Sequence, residues 1–223
     1  MDYQKPCQYS IRLIDRLKSL DSQNVLDFDL INKAIYWAKK YHGEQKRKSG
    51  EPYYSHPLEV AYMISDYKLK TDVIVASILH DIIEDTPVTA GMILDTFSWR
   101  IAEMVDRLTR DRLDRTKLSV EEIINNAYKN RDREVLLIKL FDRLHNLSTL
   151  SSLILQKQLC TKLETISIFP LLCIFLDSID FDELLTCSLS SEKNSFNLFI
   201  NEFYQQSGAG CLVSNQFIEM IKS

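Results

Sequence analysis

Turn-forming residues are scarce in this chain: five Gly and five Pro among 223 residues. Tight hairpins need such residues at set positions, so long helices are favoured over many short strands. Apolar periodicity agrees. Ser10 to Ser19 reads as an amphipathic helix, and so does Asp29 to Tyr41, with Ile31, Ala34, Ile35, Ala38 and Tyr41 on one face. A polar segment, Gly43 to Ser55, carries a turn at Gly50 and Pro52. Pro57 suits the first position of a helix, which puts His56 at the N-cap and the helix through Leu58 to Ile64. Further helices are predicted over Thr71 to Asp85, Ala90 to Leu108, Ser119 to Tyr128, Glu134 to Leu153 and Leu163 to Leu176, the last kinked or started by Pro170. Beyond Leu185 the chain turns Ser-rich, with short candidate helices at Phe196 to Tyr204 and Val213 to Ile221. The expectation is an all-α domain over residues 1–185 and a helical appendage over residues 186–223.

Hydrophobic residues make up 45% of the chain, enough for a core, and the formal net charge is −4. An acidic balance argues against a nucleic-acid binder, but leaves an anionic small molecule open, because local charge decides there. Lys39, Lys40, Lys46, Arg47 and Lys48 form a local cationic cluster, either a solvated patch or an anion site. The five Cys are scattered without CxxC spacing, which suggests neither a disulfide framework nor a thiolate zinc site. Met1-Asp2-Tyr3-Gln4 does not open a signal peptide. Ile166 to Leu176 is interrupted by Pro170 and far shorter than the roughly 20 residues that span a bilayer. A reduced, cytoplasmic protein with no membrane or nucleic-acid partner is expected; the oligomeric state is left open.

The chemistry concentrates in Thr71 to Asp85. With His80 set at zero on a helical wheel, Asp81 falls at about 100°, Glu84 at about 40° and Asp85 at about 140°. Ile78, Leu79, Ile82 and Ile83 occupy the other half. Three neighbouring carboxylates repel one another, and a bound dication relieves the repulsion. His80 and Asp81 are placed to hold a metal, Glu84 and Asp85 to hold or deprotonate a water beside it. A solvated acidic face would show the same pattern.

Two more donors extend the set. His56 stands at a helix start, and Asp142 ends the apolar run Val135 to Phe141, at a core edge where a carboxylate needs a partner. Two imidazoles and two carboxylates without thiolate suit manganese or another octahedral dication better than structural zinc. His42 and His145 read as packing or hydrogen-bonding residues. Asn146 and Thr149 follow Asp142 at helical spacing and share its face, as recognition of a nucleobase or ribose requires.

Three stretches together resemble the hydrolase domain of the RelA/SpoT family, a branch of the HD-domain phosphohydrolases. They run from Arg47 to Ala61, from Leu79 to Thr86, and from Leu137 to Leu150, with a weaker match from Glu164 to Leu171. The resemblance covers roughly residues 30–176 and implies an HD-type helical bundle. It implies a Mn²⁺-dependent guanosine-3′,5′-bis(diphosphate) 3′-pyrophosphohydrolase, which converts ppGpp or pppGpp to GDP or GTP plus pyrophosphate. By the same resemblance His56, His80, Asp81 and Asp142 are metal ligands, and Glu84 and Asp85 activate water. Arg47, Lys48 and Ser49 contact the guanine nucleotide, with Asn146 and Thr149 on the opposite wall. Arg112, Arg115 and Lys117 are further candidates for its phosphates. The family usually has Ala and Met-Arg where this chain has Phe141 and Leu147-Ser148, so that side of the site lacks one cation. Only 47 residues follow Leu176, too few for the family's synthetase domain, so a hydrolase-only member or shortened paralogue is expected. Hydrolysis of another phosphorylated nucleotide such as NADPH, or alarmone binding without turnover, are the competing readings.

Overall fold

The computed structural model describes residues 3–67, 70–111, 116–161 and 164–165. Its helices in chain order are α1 (Gln8–Leu20), α2 (Phe28–His42), α3 (Ser55–Ile64), α4 (Thr71–Leu79), α5 (Ile82–Asp85), α6 (Ala90–Thr96), α7 (Trp99–Leu108), α8 (Val120–Lys129) and α9 (Arg133–Ser148). Short 3-10 turns follow α3 and α9. Extended pairing among the described residues is limited to two isolated antiparallel bridges, Lys46 with Pro52 and Asp111 with Lys117. The fold is all-α, as the scarcity of turn-formers predicts.

Helix α4 is the pivot. Every residue from Val73 to Leu79 is buried, and a helix apolar on all sides belongs inside. It packs against α2, α3 and α7, while α3 also meets α1 and α9. The C-terminal end of α4, the start of α3 and the middle of α9 therefore converge inside the bundle. Local chemistry sets the helix ends. Asp27, Thr89, Ser98, Ser119 and Asp132 each accept a backbone N–H of the first turn that follows. Helix α2 stops at Gly43, whose φ of +53° is a left-handed value that glycine adopts at least cost.

Four predicted boundaries need correction. The helix expected over Thr71 to Asp85 breaks after Leu79 and resumes at Ile82. At the break His80 Nδ1 donates to Ser77 O at 2.8 Å, taking up the carbonyl that an unbroken ladder offers to Asp81. The helix expected over Ala90 to Leu108 is two, because Ser98 leaves the helix to cap α7 at Ile101 N–H. His56 is not an N-cap: α3 starts one residue earlier and His56 is buried in its first turn. The helix expected over Glu134 to Leu153 starts at Arg133, behind the Asp132 cap, and stops at Ser148, before the turn Leu150–Ser152. Apart from residues 164–165, which are helical, the predicted Leu163 to Leu176 helix lies outside the described residues. So do the two later helices, the appendage over 186–223, and Arg112 and Arg115.

Candidate metal centre

Three donors converge where the pivot helix meets its neighbours. His56 from α3, His80 from the end of α4 and Asp142 from α9 bring one ligand atom each within 4.8 Å of one another. His56 Nε2 lies 3.2 Å from Asp142 Oδ1, and His80 Nε2 lies 3.7 Å from the same oxygen. Asp81, at the helix break, straddles the two rings: Oδ2 is 3.3 Å from His56 Nε2 and Oδ1 is 3.2 Å from His80 Nε2. The break matters here, since it turns the Asp81 carboxylate toward both imidazoles.

Hydrogen bonds behind the rings orient them. Ser77 O only accepts, so His80 carries a proton on Nδ1 and aims Nε2 at the carboxylates. That Nε2 is fully buried and makes no hydrogen bond of acceptable geometry, despite Asp81 Oδ1 at 3.2 Å. Burial disfavours charge on His80, yet Asp81 and Asp142 outweigh it and push its pKa up to about 10. Burial likewise opposes ionisation of Asp81 and Asp142, but the two imidazoles, and Lys139 beside Asp142, hold both carboxyls well below the usual carboxylate range. The cluster therefore demands positive charge at its centre. A proton on His80 meets that demand weakly and a dication meets it strongly, so these nitrogen and oxygen donors fit a divalent metal.

Glu84 and Asp85 project from α5 beside this cluster. Glu84 accepts the backbone N–H of Arg110, and Asp85 Oδ2 accepts the Tyr53 hydroxyl at 2.6 Å. Burial, with Asp81 as a further contributor, raises both carboxyls above their ordinary values. Tyr53 is held in turn: its ring stacks on His42 at 4.8 Å, His42 meets Gln45 at 3.1 Å, and Gln45 donates to Asp85 O at 2.9 Å. His42 has the hydrogen-bonding role expected of it.

The loop between α2 and α3 brings up the other wall. Arg47 O accepts from Gly50 N–H and Arg47 N–H donates to Glu51 O, closing a tight turn in which Gly50 has φ +93°. From this turn the Arg47 guanidinium donates to Asn146 Oδ1 and Thr149 Oγ1, both at 3.1 Å. Asn146 Nδ2 then donates to Asp142 Oδ1 at 2.7 Å, so one side chain touches both the loop and a candidate ligand. Lys48 and Ser49 are exposed on the turn. The cationic cluster does not stay together: Lys39 is buried and donates to Lys5 O, while Lys40 lies over the rings of Tyr36 and Tyr41. Lys117 pairs with Asp111 at 2.9 Å.

Sequence reasoning passed over three neighbours of the site. Tyr53 and Gln45 sit in the polar loop and show no signal of their own. Lys139 could have been found as the one charge within the apolar run that leads to Asp142; it is buried, with Nζ 3.6 Å from Asp142 Oδ2. Asn146 and Thr149 do share the Asp142 side of α9, as their spacing requires.

Comparison with known proteins adds a frame. A family model described as "HD domain" matches residues 34–173. Among the curated relatives is a "Probable guanosine-3′,5′-bis(diphosphate) 3′-pyrophosphohydrolase" of Mycoplasma pneumoniae, 36% identical over 151 residues, covering 63% of this chain and 21% of that protein. A "GTP pyrophosphokinase rsh" of Brucella suis is 40% identical over 145 residues, covering 63% of this chain and 19% of the relative. The chain thus spans about a fifth of the length of these relatives. Among solved structures, one described as "A metazoan ortholog of SpoT hydrolyzes ppGpp and plays a role in starvation responses" aligns over 92% of this chain and 98% of its own, with TM-score 0.50 and 19% identity, a likeness of fold. The convergent donors, the all-helical bundle and a family match over more than half of the residues lead to one conclusion: the chain belongs to the HD-domain family.

Proposed function

We propose that this chain is a metal-dependent phosphohydrolase that removes the 3′-pyrophosphate of ppGpp and pppGpp, with Mn²⁺ as cofactor and GDP or GTP plus pyrophosphate as products. One observation carries the reading: His56, His80 and Asp142 converge on a point that demands positive charge, with Glu84 and Asp85 alongside. The names of the Mycoplasma relative and of the metazoan structure support the choice of substrate.

In this reading His56, His80, Asp81 and Asp142 hold the dication. When bound, the metal supplies Lewis-acid polarisation of a phosphoryl oxygen and a lowered pKa for water. Glu84 and Asp85 orient the attacking water and take its proton; their raised pKa values make them stronger acceptors while still ionised. The water oxygen bonds to phosphorus as the bond between that phosphorus and the ribose 3′ oxygen breaks, the proton taken from the water is returned to the 3′ oxygen, and pyrophosphate leaves. Arg47, Lys48 and Ser49 receive the guanine nucleotide on one side and Asn146 and Thr149 on the other. The nucleotide takes over the hydrogen bonds that Arg47 makes to α9. Such a substrate also fits a cytoplasmic protein.

The test is pyrophosphate release from ppGpp in the presence of Mn²⁺, with Asp81→Asn as the control. Absence of Mn²⁺-dependent turnover by well-folded protein overturns the proposal. Calorimetric ppGpp binding without turnover would point to a binding module, and preference for NADPH in competition to a different nucleotide substrate.

A further inference from the structure

The two imidazoles of the centre are held in different ways. His80 Nδ1 is tied to Ser77 O, a main-chain group of its own helix. His56 Nδ1 instead lies 2.8 Å from Nδ1 of His145, a side chain 89 positions away on α9. The rings are 4.8 Å apart and tilted by 43°, so this is an edge-on nitrogen-to-nitrogen contact rather than a stack. Two bare ring nitrogens repel at that distance; one of them must carry the proton and the other must accept it.

We propose that His145 is a positioning residue, whose Nδ1 accepts the Nδ1 proton of His56 and so presents the His56 Nε2 lone pair to the metal. The argument rests on the metal-centre reading above. A ligating Nε2 has no proton, which leaves the single ring proton of a neutral His56 on Nδ1. That proton needs an acceptor, and among the described residues His145 Nδ1 lies in place to be it, at 2.8 Å. The His145 proton then lies on Nε2. The two rings thus differ: the carbonyl three residues before His80 accepts its ring N–H, whereas the carbonyl three residues before His56, Tyr53 O, accepts the His56 backbone N–H. His145 thereby couples the ligand on α3 to the helix that carries Asp142, Asn146 and Thr149. Its own carbonyl accepts from Ser148 and Thr149, which anchors it at the end of α9.

Acceptor geometry gives a discriminating test. Asparagine at 145 puts its Oδ1 where the imidazole has Nδ1; glutamine puts its oxygen further out, near the Nε2 position; alanine removes the acceptor. Mn²⁺ affinity is measured on each full-length variant by counting free Mn²⁺ with electron paramagnetic resonance, with thermal unfolding as the folding control. Loss of an outer partner of a ligating histidine typically costs about 10–100-fold in metal affinity. His145→Ala and His145→Gln should fall in that range, and His145→Asn should stay within a few-fold of the parent. Equal affinity in all four proteins overturns the proposal while leaving the metal centre intact. Equal loss in Asn, Gln and Ala overturns it too, since the site would then need the ring and not the acceptor. A parent protein that binds no Mn²⁺, with Asp142→Ala no different, removes the metal-centre reading itself. In ¹⁵N-labelled protein, a scalar coupling between the two Nδ1 atoms would detect the hydrogen bond without any metal; a His56 tautomer without that coupling counts against it.

Discussion

The candidate metal cluster and the proposed nucleotide wall lie side by side but are built on opposite plans. Each imidazole of the cluster is held from behind, His80 by Ser77 O and His56 by His145, and both rings are buried, His56 in the first turn of α3 and His80 at the end of α4. The wall rests on one half-buried guanidinium, Arg47, reaching from a turn to Asn146 of α9 and to Thr149 just past its end, with exposed Lys48 and Ser49 beside it. A site whose geometry must be held within a fraction of an ångström is best placed on packed elements. A surface that receives a ligand needs contacts that exchange cheaply. Asn146 is where the two plans meet, because it touches both Arg47 and Asp142.

Substitutions should expose that division, the largest effects first. Asp142→Ala removes a candidate ligand and leaves Lys139 buried without its partner. Mn²⁺ affinity should drop by more than the roughly 10–100-fold expected for an outer-shell change, and turnover should vanish with it; calorimetry and pyrophosphate release check both. Glu84→Gln should lower kcat by about 10²–10⁴-fold, the usual worth of a general base, with Mn²⁺ affinity within a few-fold of the parent. If affinity collapses as well, Glu84 belongs to the metal cluster and the comparison needs redrawing. Arg47→Ala should act on the wall alone. Losing a charged hydrogen-bonding partner of about 1.5–3 kcal/mol predicts a rise in KM of about 10–150-fold, with little change in metal binding.

The smallest effect concerns pH. The acting carboxylates must be ionised to accept a proton, and burial raises their pKa, so kcat/KM should fall as pH drops through that raised value. The Tyr53 hydroxyl favours the charged form of Asp85 and pulls its pKa back down. Tyr53→Phe should therefore move the acid limb of the kcat/KM profile to higher pH, with the plateau little changed. An unmoved limb would mean that Asp85 does not set it.

Much of this was readable in the chain before any coordinates. Helical class followed from few turn-formers and a 3.6-residue period, both local properties. Asp142 stood out at a core edge, where a carboxylate needs a partner, His80 and Asp81 beside Glu84 and Asp85 on one helix, and His56 at a helix start. Errors fell where a side chain competes with the backbone. Ser98 looked like one more polar residue on a long helix, until its hydroxyl capped α7. His80 looked like a point within a helix, yet its ring takes the Ser77 carbonyl and ends α4. The five-residue cationic cluster looked like one surface, but helix phase sends Lys39 inward to Lys5 O, and the turn at Gly50 sends Arg47 across to Asn146.

By itself the sequence determined the element types and the inventory of donors, since propensity, capping and spacing act over a few residues. Tertiary structure alone decided which atom of each donor faces the centre. His56 and His145 are 89 positions apart, and no local rule brings the Nδ1 of one ring against the Nδ1 of the other. Only the packing of α3 on α9 brings them within 2.8 Å, and at that distance one ring nitrogen must donate and the other accept.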